Sequence, residues 1–377
     1  MTRLITGLIV VAIIIVGGFA LLGNEEGRGD VMRLGVIASA NEGAPVGAMI
    51  RHALTIAAEE INATGGLNGK TIELIIEDGG CNAQTAGIAA QKLANLDEVT
   101  AIFGGSCEIE IQAAGEIAQA AGILMITPYL RVFEHEDGDV FSIAPTESAI
   151  ANISARYLIR ERSLKTLALV RESSYSESFA AEFKKAFQQN SGKVVEDYIY
   201  TLENAAISED DVKKIFAGKP DVVYVLAENI ERGAGIIKQL REFEKDAAYI
   251  SNLNFFTAGA VADHSEALEG VIGIGFAPDY ENNDRAKSFL ERYREESMGA
   301  DPGSLAVGAY DALHLFADGV RRVGARTEDM ESWLAHIENW PGALGPFSME
   351  PNKTIRIGLR VKTITDGKIE NSISYLP

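Results

Sequence analysis

Between residues 33 and 128 the chain alternates short apolar runs with longer amphipathic ones. The runs at 34–38, 72–77, 101–103 and 124–127 stop at small or polar residues and read as strands. The stretches at 47–62, 85–96 and 110–121 carry apolar residues at spacings of three and four and read as helices. Strands separated by helices in this way must run parallel, with helices over both faces of the sheet. In such sheets ligands bind outside the carboxyl ends of the strands. The loops at 104–108 and 128–131 are therefore where function is expected.

The same alternation returns later. Strands are expected at 166–170, 194–200, 221–226, 249–250 and 270–276, and helices at 149–162, 179–189, 208–217 and 234–243. A break falls near 144–146. Two lobes of one topology explain this better than one continuous sheet, and 377 residues suffice for two domains. Helices follow at 284–297, 304–323 and 330–338, the second apolar enough to be buried. The tail reads as a strand over 354–365, a hairpin turn at 366–368 and a last strand over 370–376.

Residues 4–23 contain no charge, and 20 helical residues reach about 30 Å, one hydrocarbon core. Arg3 precedes this segment and Glu25 and Glu26 follow it, which places the N-terminus in the cytoplasm and the remainder outside. An uncleaved anchor and a cleaved signal peptide both fit, and both export the rest of the chain. Residues 24–31 read as a short tether. The formal net charge of −20 and the lack of a basic stripe argue against nucleic-acid binding. The only two cysteines, Cys81 and Cys107, each follow a strand end at the same sheet edge. In an oxidising compartment they are expected to form a disulfide rather than to stay separate thiols.

Motifs for catalysis and cofactors are missing. Gly104, Gly105 and Ser106 lack the spacing and the lysine of a phosphate-binding loop. The glycines of 270–275 fall inside a strand, not at a strand-to-helix turn. The five histidines are scattered, without zinc-like spacing, and there is no G-x-S-x-G elbow. No cofactor, metal or enzymatic activity is expected.

Several segments, taken in order, carry a resemblance: EEINATGGLNGKTIELIIED, the Cys81 and Cys107 pair, GILMITP, RESSYSESFAAEF, DVVYVL, AVGAYDAL and LGPFSM with a downstream DGK. Together they resemble the periplasmic leucine/isoleucine/valine-binding protein family, the type I solute-binding proteins of ABC importers, from residue 31 to the C-terminus. The resemblance implies an α/β type I periplasmic-binding-protein fold, with two Rossmann-like lobes joined by three crossover strands. It divides the chain into 1–23 (signal peptide or anchor), 24–31 (tether), 32–145 with 278–345 (lobe 1) and 146–277 with 346–377 (lobe 2). It implies a small-molecule solute held in the cleft, no catalysis, and a membrane permease as partner. Signalling ectodomains share the fold, so a tethered sensor acting through a separate protein is the rival reading.

The resemblance also implies a set of contacts. The loop of Ser106, Cys107 and Glu108 corresponds to the one that offers backbone amides and a serine hydroxyl to a ligand carboxylate, and here Glu108 stands in the serine's place. The next contact loop is Tyr129, Leu130 and Arg131, with Arg131 in the place of a threonine. Arg131 offers a planar fork either to an acidic ligand group or to Glu108. In the second lobe Tyr175 corresponds to the tyrosine that covers the ligand, Glu228 follows the 221–226 strand, and Asn252 lies in the 251–254 loop. That loop lacks the acid which holds the amino group in branched-chain binders, and the aromatic wall near Val46 is missing. A small polar solute, an amino acid held differently or a related compound, is expected.

Overall fold

The computed structural model describes residues 31–39, 45–129, 140–172, 177–201, 206–227 and 229–375. The apolar segment 4–23 lies outside them. Among the described residues no helix is long and apolar enough to cross a membrane.

The first sheet is parallel and five-stranded. Its strands are β1 (Val31–Ile37), β2 (Thr71–Glu77), β3 (Ala101–Gly104), β4 (Leu124–Thr127) and β5 (Val140–Ser142), in the order β2-β1-β3-β4-β5. The helices α1 (Pro45–Ala63), α2 (Ala83–Asn95) and α3 (Glu108–Ala120) connect them. β3 and β4 are buried at every position, as expected of strands covered on both faces. β1 begins at Val31, the last residue of the expected tether.

The second sheet has seven strands. Its parallel part is β6 (Thr166–Glu172), β7 (Lys193–Tyr200), β8 (Val222–Leu226), β9 (Ala248–Ser251) and β10 (Ile272–Gly275). The accompanying helices are α4 (Glu147–Arg156), α5 (Glu177–Gln189), α6 (Glu209–Ala217), α7 (Ile230–Phe243) and α8 (Ala258–Leu268). Their starts are set by caps. Thr146, Ser208, Asn229 and Thr257 each accept a hydrogen bond from a main-chain N–H in the first turn of the helix that follows.

The chain then returns to the first lobe. α9 (Asp284–Glu296) and α10 (Ser304–Val323) pack with α1, where Glu60 accepts from Tyr310 Oη at 2.7 Å and lies 3.6 Å from Arg292. α11 (Thr327–Leu334) leads into a small antiparallel sheet of β11 (Trp340–Gly342), β12 (Gly345–Met349) and β13 (Ile355–Ile357). The expected single strand over 354–365 is two strands in two sheets. β13 ends before Gly358, and β14 (Leu359–Thr365) joins β10 antiparallel in the larger sheet. The turn at Asp366 and Gly367, both with positive φ, then pairs β14 with β15 (Lys368–Tyr375).

The chain therefore passes between the lobes at 143–146, at 276–283 and at Gly358. The crossings are tied to one another. Ser142 N donates to Lys353 O at 2.8 Å and Ile355 N to Ala144 O at 3.3 Å. Arg360 bridges the other pair, donating to Ala277 O at 3.2 Å and pairing with Asp279 at 2.8 Å. A cavity of about 210 Å³ lies beside these crossings, between the α4 face bearing Ala149 and Ile153 and the strand residues Ile355 and Ile357.

One buried charge fixes the return of the chain. Asp311 of α10 is fully buried, and its two carboxylate oxygens accept from Ala343 N at 2.7 Å and Leu344 N at 2.8 Å. Burial pushes its pKa from 3.8 up to about 7, against the pull of those two N–H groups. The folded state then holds this proton more tightly than the unfolded chain does. Its contribution to stability is complete below the unfolded pKa and falls as pH rises through about 7. Between about pH 5 and about pH 8 the wild type is expected to lose a few kcal/mol relative to Asp311→Asn in urea unfolding. Midpoints that move in parallel for the two proteins would contradict this.

Cys81 and Cys107 form a disulfide, 26 residues apart in sequence, that ties the loop after β2 to the start of α3. A loop of that length corresponds to about 3.5 kcal/mol in the chain-entropy model. The double change Cys81→Ser with Cys107→Ser is expected to lose about that much in chemical denaturation. A loss below about 1 kcal/mol would mean that the surrounding contacts hold the loop without the bond.

Candidate functional site

The carboxyl ends of β1, β2 and β3 meet in a small polar cluster. Gly104 and Gly105 carry the chain out of β3 with positive φ. A Cβ on Gly104 would lie 2.2 Å from Ile37 O, so only glycine lets β3 leave this close to β1. Gly105 N then donates to Ile37 O at 2.7 Å. Ser39 N donates to Ser106 Oγ at 3.2 Å, and Arg51 donates to Ser39 O.

Cys107 stands at the N-cap of α3, but its sulfur is in the disulfide and gives no side-chain cap. Glu110, three residues on and fully buried, instead ties the residue before the cap to the first turn. Its Oε2 accepts from Ser106 N at 2.6 Å and from Ser106 Oγ at 2.5 Å. A carboxylate in the first helical turn also meets the positive end of the helix dipole. Glu110 was not among the expected site residues. The signal for it was an acid at the third helical position after a residue unable to cap.

Glu108 is partly buried at the first position of α3, and its Oε1 is shielded from solvent with no hydrogen-bond partner. Burial raises its pKa. Glu147, at the first position of α4 in the other lobe, is also raised. Burial is the main cause there, followed by repulsion from Glu108 and Glu182, with a hydrogen bond from Ser178 opposing. Glu108 of the first lobe is thus close enough to Glu147 of the second to contribute to raising its pKa. Glu147 too was absent from the expected set, because nothing local in sequence says that it faces α3.

Tyr129 follows β4. Its N–H donates to Thr127 Oγ1 at 3.1 Å and its carbonyl accepts from Ser142 Oγ at 2.7 Å, which holds the start of the second contact loop against β5. In the other lobe Asn252 follows β9. Its side chain accepts from Ala227 N at 3.3 Å and donates to Ala227 O at 3.1 Å, so it binds the end of β9 to the end of β8. Ser106, Cys107 and Glu108 are brought together at the carboxyl edge of the first sheet, with Tyr129 at the end of the neighbouring strand. Leu130, Arg131, Tyr175 and Glu228 lie outside the described residues. Among the described residues no group of histidine, cysteine and carboxylate side chains is placed to hold a metal ion.

Residues 33–361 match the family model described as periplasmic binding protein. The leucine-, isoleucine-, valine-, threonine- and alanine-binding protein of Pseudomonas aeruginosa is 25% identical over 288 residues, covering 74% of this chain and 75% of that one. Two solved structures share the fold. The branched-chain amino acid transporter substrate binding protein from Streptococcus pneumoniae, in complex with isoleucine, superposes with a TM-score of 0.76 at 21% identity, over 92% of this chain and 100% of the other. A solute binding protein of an ABC transporter from R. palustris, in complex with benzoate, gives 0.74 at 20% identity, over 92% and 97%. Proteins of this family are non-enzymatic and are exported to the periplasm. The chain belongs to the periplasmic binding protein family, and the resemblance of its ordered segments to the leucine/isoleucine/valine-binding proteins is borne out.

Proposed function

We propose that this chain is the extracytoplasmic solute-binding component of an ABC importer, capturing a small polar solute, an amino acid or a related compound, by hinge closure. One observation carries the proposal. Glu108 and Glu147, the first residues of α3 and α4 on opposite lobes, lie near enough to each other that Glu108 helps to raise the pKa of Glu147. A solute held between them touches both lobes, and only contacts that differ between open and closed states shift the balance between them. The names of the relatives, amino-acid binders and transporter substrate-binding proteins, support the same class of solute and a permease as the partner. Residues 4–23 serve as the export signal or anchor in this reading.

Ser106, Cys107, Glu108, Tyr129, Leu130, Arg131, Tyr175, Glu228 and Asn252 are the proposed contacts. A thermal-shift screen of amino acids, amides and carboxylates tests the proposal, because a solute at 100 times its Kd adds about 2.7 kcal/mol to stability. Tyr175→Ala and Arg131→Ala are expected to weaken binding of the solute so found. Unchanged affinity in both would remove this set of contacts. Recovery of the solute in altered form would replace capture with turnover.

The acidic pair gives a second test. Glu147→Gln removes one of two like charges that approach each other as the lobes close. For a solute without a positive group the change is expected to tighten binding about two- to fivefold in calorimetry. For a solute whose ammonium sits between the two carboxylates it is expected to weaken binding. Equal affinity of the wild type and the variant for every bound solute would mean that the pair plays no part in closure.

A further inference from the structure

The loop that leaves β3 is expected to offer its donors to a solute carboxylate, but in the folded protein those of Ser106 are already taken. Glu110 Oε2 accepts from Ser106 N at 2.6 Å and from Ser106 Oγ at 2.5 Å. Ser106 Oγ in turn accepts from Ser39 N at 3.2 Å, and Arg51 donates to Ser39 O. One carboxylate of the protein thus anchors a relay from the first turn of α3, through the loop after β3, to the segment after β1 and to α1.

The place of this carboxylate is built into the fold. Burying a carboxyl group costs free energy unless hydrogen bonds match it. Glu110 is fully buried, and a glycine makes room for it. A Cβ on Gly79, in the loop after β2, would overlap Glu110 Oε1. The disulfide from Cys81 to Cys107 clamps the same loop to the start of α3. Two strand ends and a helix start thereby enclose one carboxylate, and a side chain of the chain itself supplies it.

The charge balance points the same way. The positive end of a helix dipole is worth about half an elementary charge. α3 sets two carboxylates against it, Glu108 at its first position and Glu110 at its third. Glu147, at the start of α4, brings another from the opposite lobe. Arg51, a cation at this edge, is turned to Ser39 O. A further carboxylate carried in by a solute would meet net negative charge and find Ser106 occupied.

We propose that Glu110 is a positioning residue that sets the class of solute: it holds Ser106 as a solute carboxylate would, so the captured compound turns an amine or amide end, and not a carboxylate, to the first lobe. The inference rests on the solute-capture reading above. An amine or amide end brings hydrogen-bond donors to an edge whose carboxylates accept them. Glu110 acts through Ser106 and through its charge.

Two measurements on the full chain test the inference. The first needs no solute. In sodium chloride Glu110→Ala is expected to unfold below the wild type. Acetate in place of chloride, at matched ionic strength, is expected to restore about 2 °C or more of that loss, because acetate enters the vacated place. The wild type and Glu110→Gln, whose side chains still fill that place, are expected to unfold alike in the two salts. Acetate that moves none of the three proteins, or all of them equally, overturns the role of Glu110.

The second measurement is calorimetry with L-leucinamide and L-alaninamide against L-leucine and L-alanine. The wild type is expected to bind at least one amide about tenfold more tightly than the matching acid, and Glu110→Gln to narrow that ratio to about threefold or less. A purely structural role for Glu110 would move both affinities together and leave the ratio unchanged. A wild type that binds an acid as tightly as its amide, or binds none of the four, overturns the solute class, and so does a ratio that Glu110→Gln leaves as it was. If Glu110→Ala does not fold, the ratio measured on Glu110→Gln decides. Rescue by acetate, together with a bound amide that leaves the lobes where they were, keeps the role of Glu110 and removes capture. Acid and amide bound alike, with lobes that close on both, remove the inference and leave capture standing.

Discussion

A parallel strand cannot turn directly back beside its neighbour, and the helix needed to return the chain makes every strand end at the same edge of its sheet. This constraint acts twice here, once in each lobe. The carboxyl ends of β1, β3 and β4 gather at one edge, and those of β6, β8 and β9 at another. The three crossings hold the two edges near each other, near enough that Glu108 and Glu147 interact. Neither lobe comes from one contiguous stretch, so the crossing segments belong to the fold of both.

The local chemistry around the gap serves positioning before it serves binding. Glu110 fixes Ser106, just ahead of the disulfide-bonded Cys107, to the first turn of α3. Asn252 ties two strand ends together, and Asp311 holds the turn at Ala343 and Leu344 that leads the chain into β12. At the first-lobe edge, Ser39 Oγ, Glu108 Oε1 and Glu110 Oε1 are polar atoms shielded from water and left without partners. Such atoms carry a cost in the empty protein that a bound solute is able to relieve.

Much of the fold was legible in sequence, for a physical reason. Buried parallel strands read as unbroken apolar runs, and β4 was placed to the residue. α2 and α3 begin about two residues earlier than their apolar periodicity suggested, because Asn82 and Cys107 end the preceding loops and polar first turns carry no periodic signal. β5 has three residues, too few for any pattern, and it went unseen. The division of the 354–365 run between two sheets was equally hidden, since both pieces alternate apolar and polar and only long-range pairing separates them at Gly358. The first-lobe site was legible at Ser106 and Glu108, which follow a strand directly. Glu147 was not, because its importance comes from what lies opposite it in space.

The central claim is that one small molecule, held between the lobes, draws them together and leaves unchanged. Leu96 and Phe243 are exposed positions at the carboxyl ends of α2 and α7, one on each lobe, and the native cysteines are already joined to each other. Spin labels on Leu96→Cys and Phe243→Cys in the full chain therefore report the separation of the lobes. Saturation with a solute found by calorimetry should move the distance distribution to a second, narrower one, and dialysis should restore the first with the solute intact. A solute that binds with full occupancy while the distribution stays where it was would contradict the account.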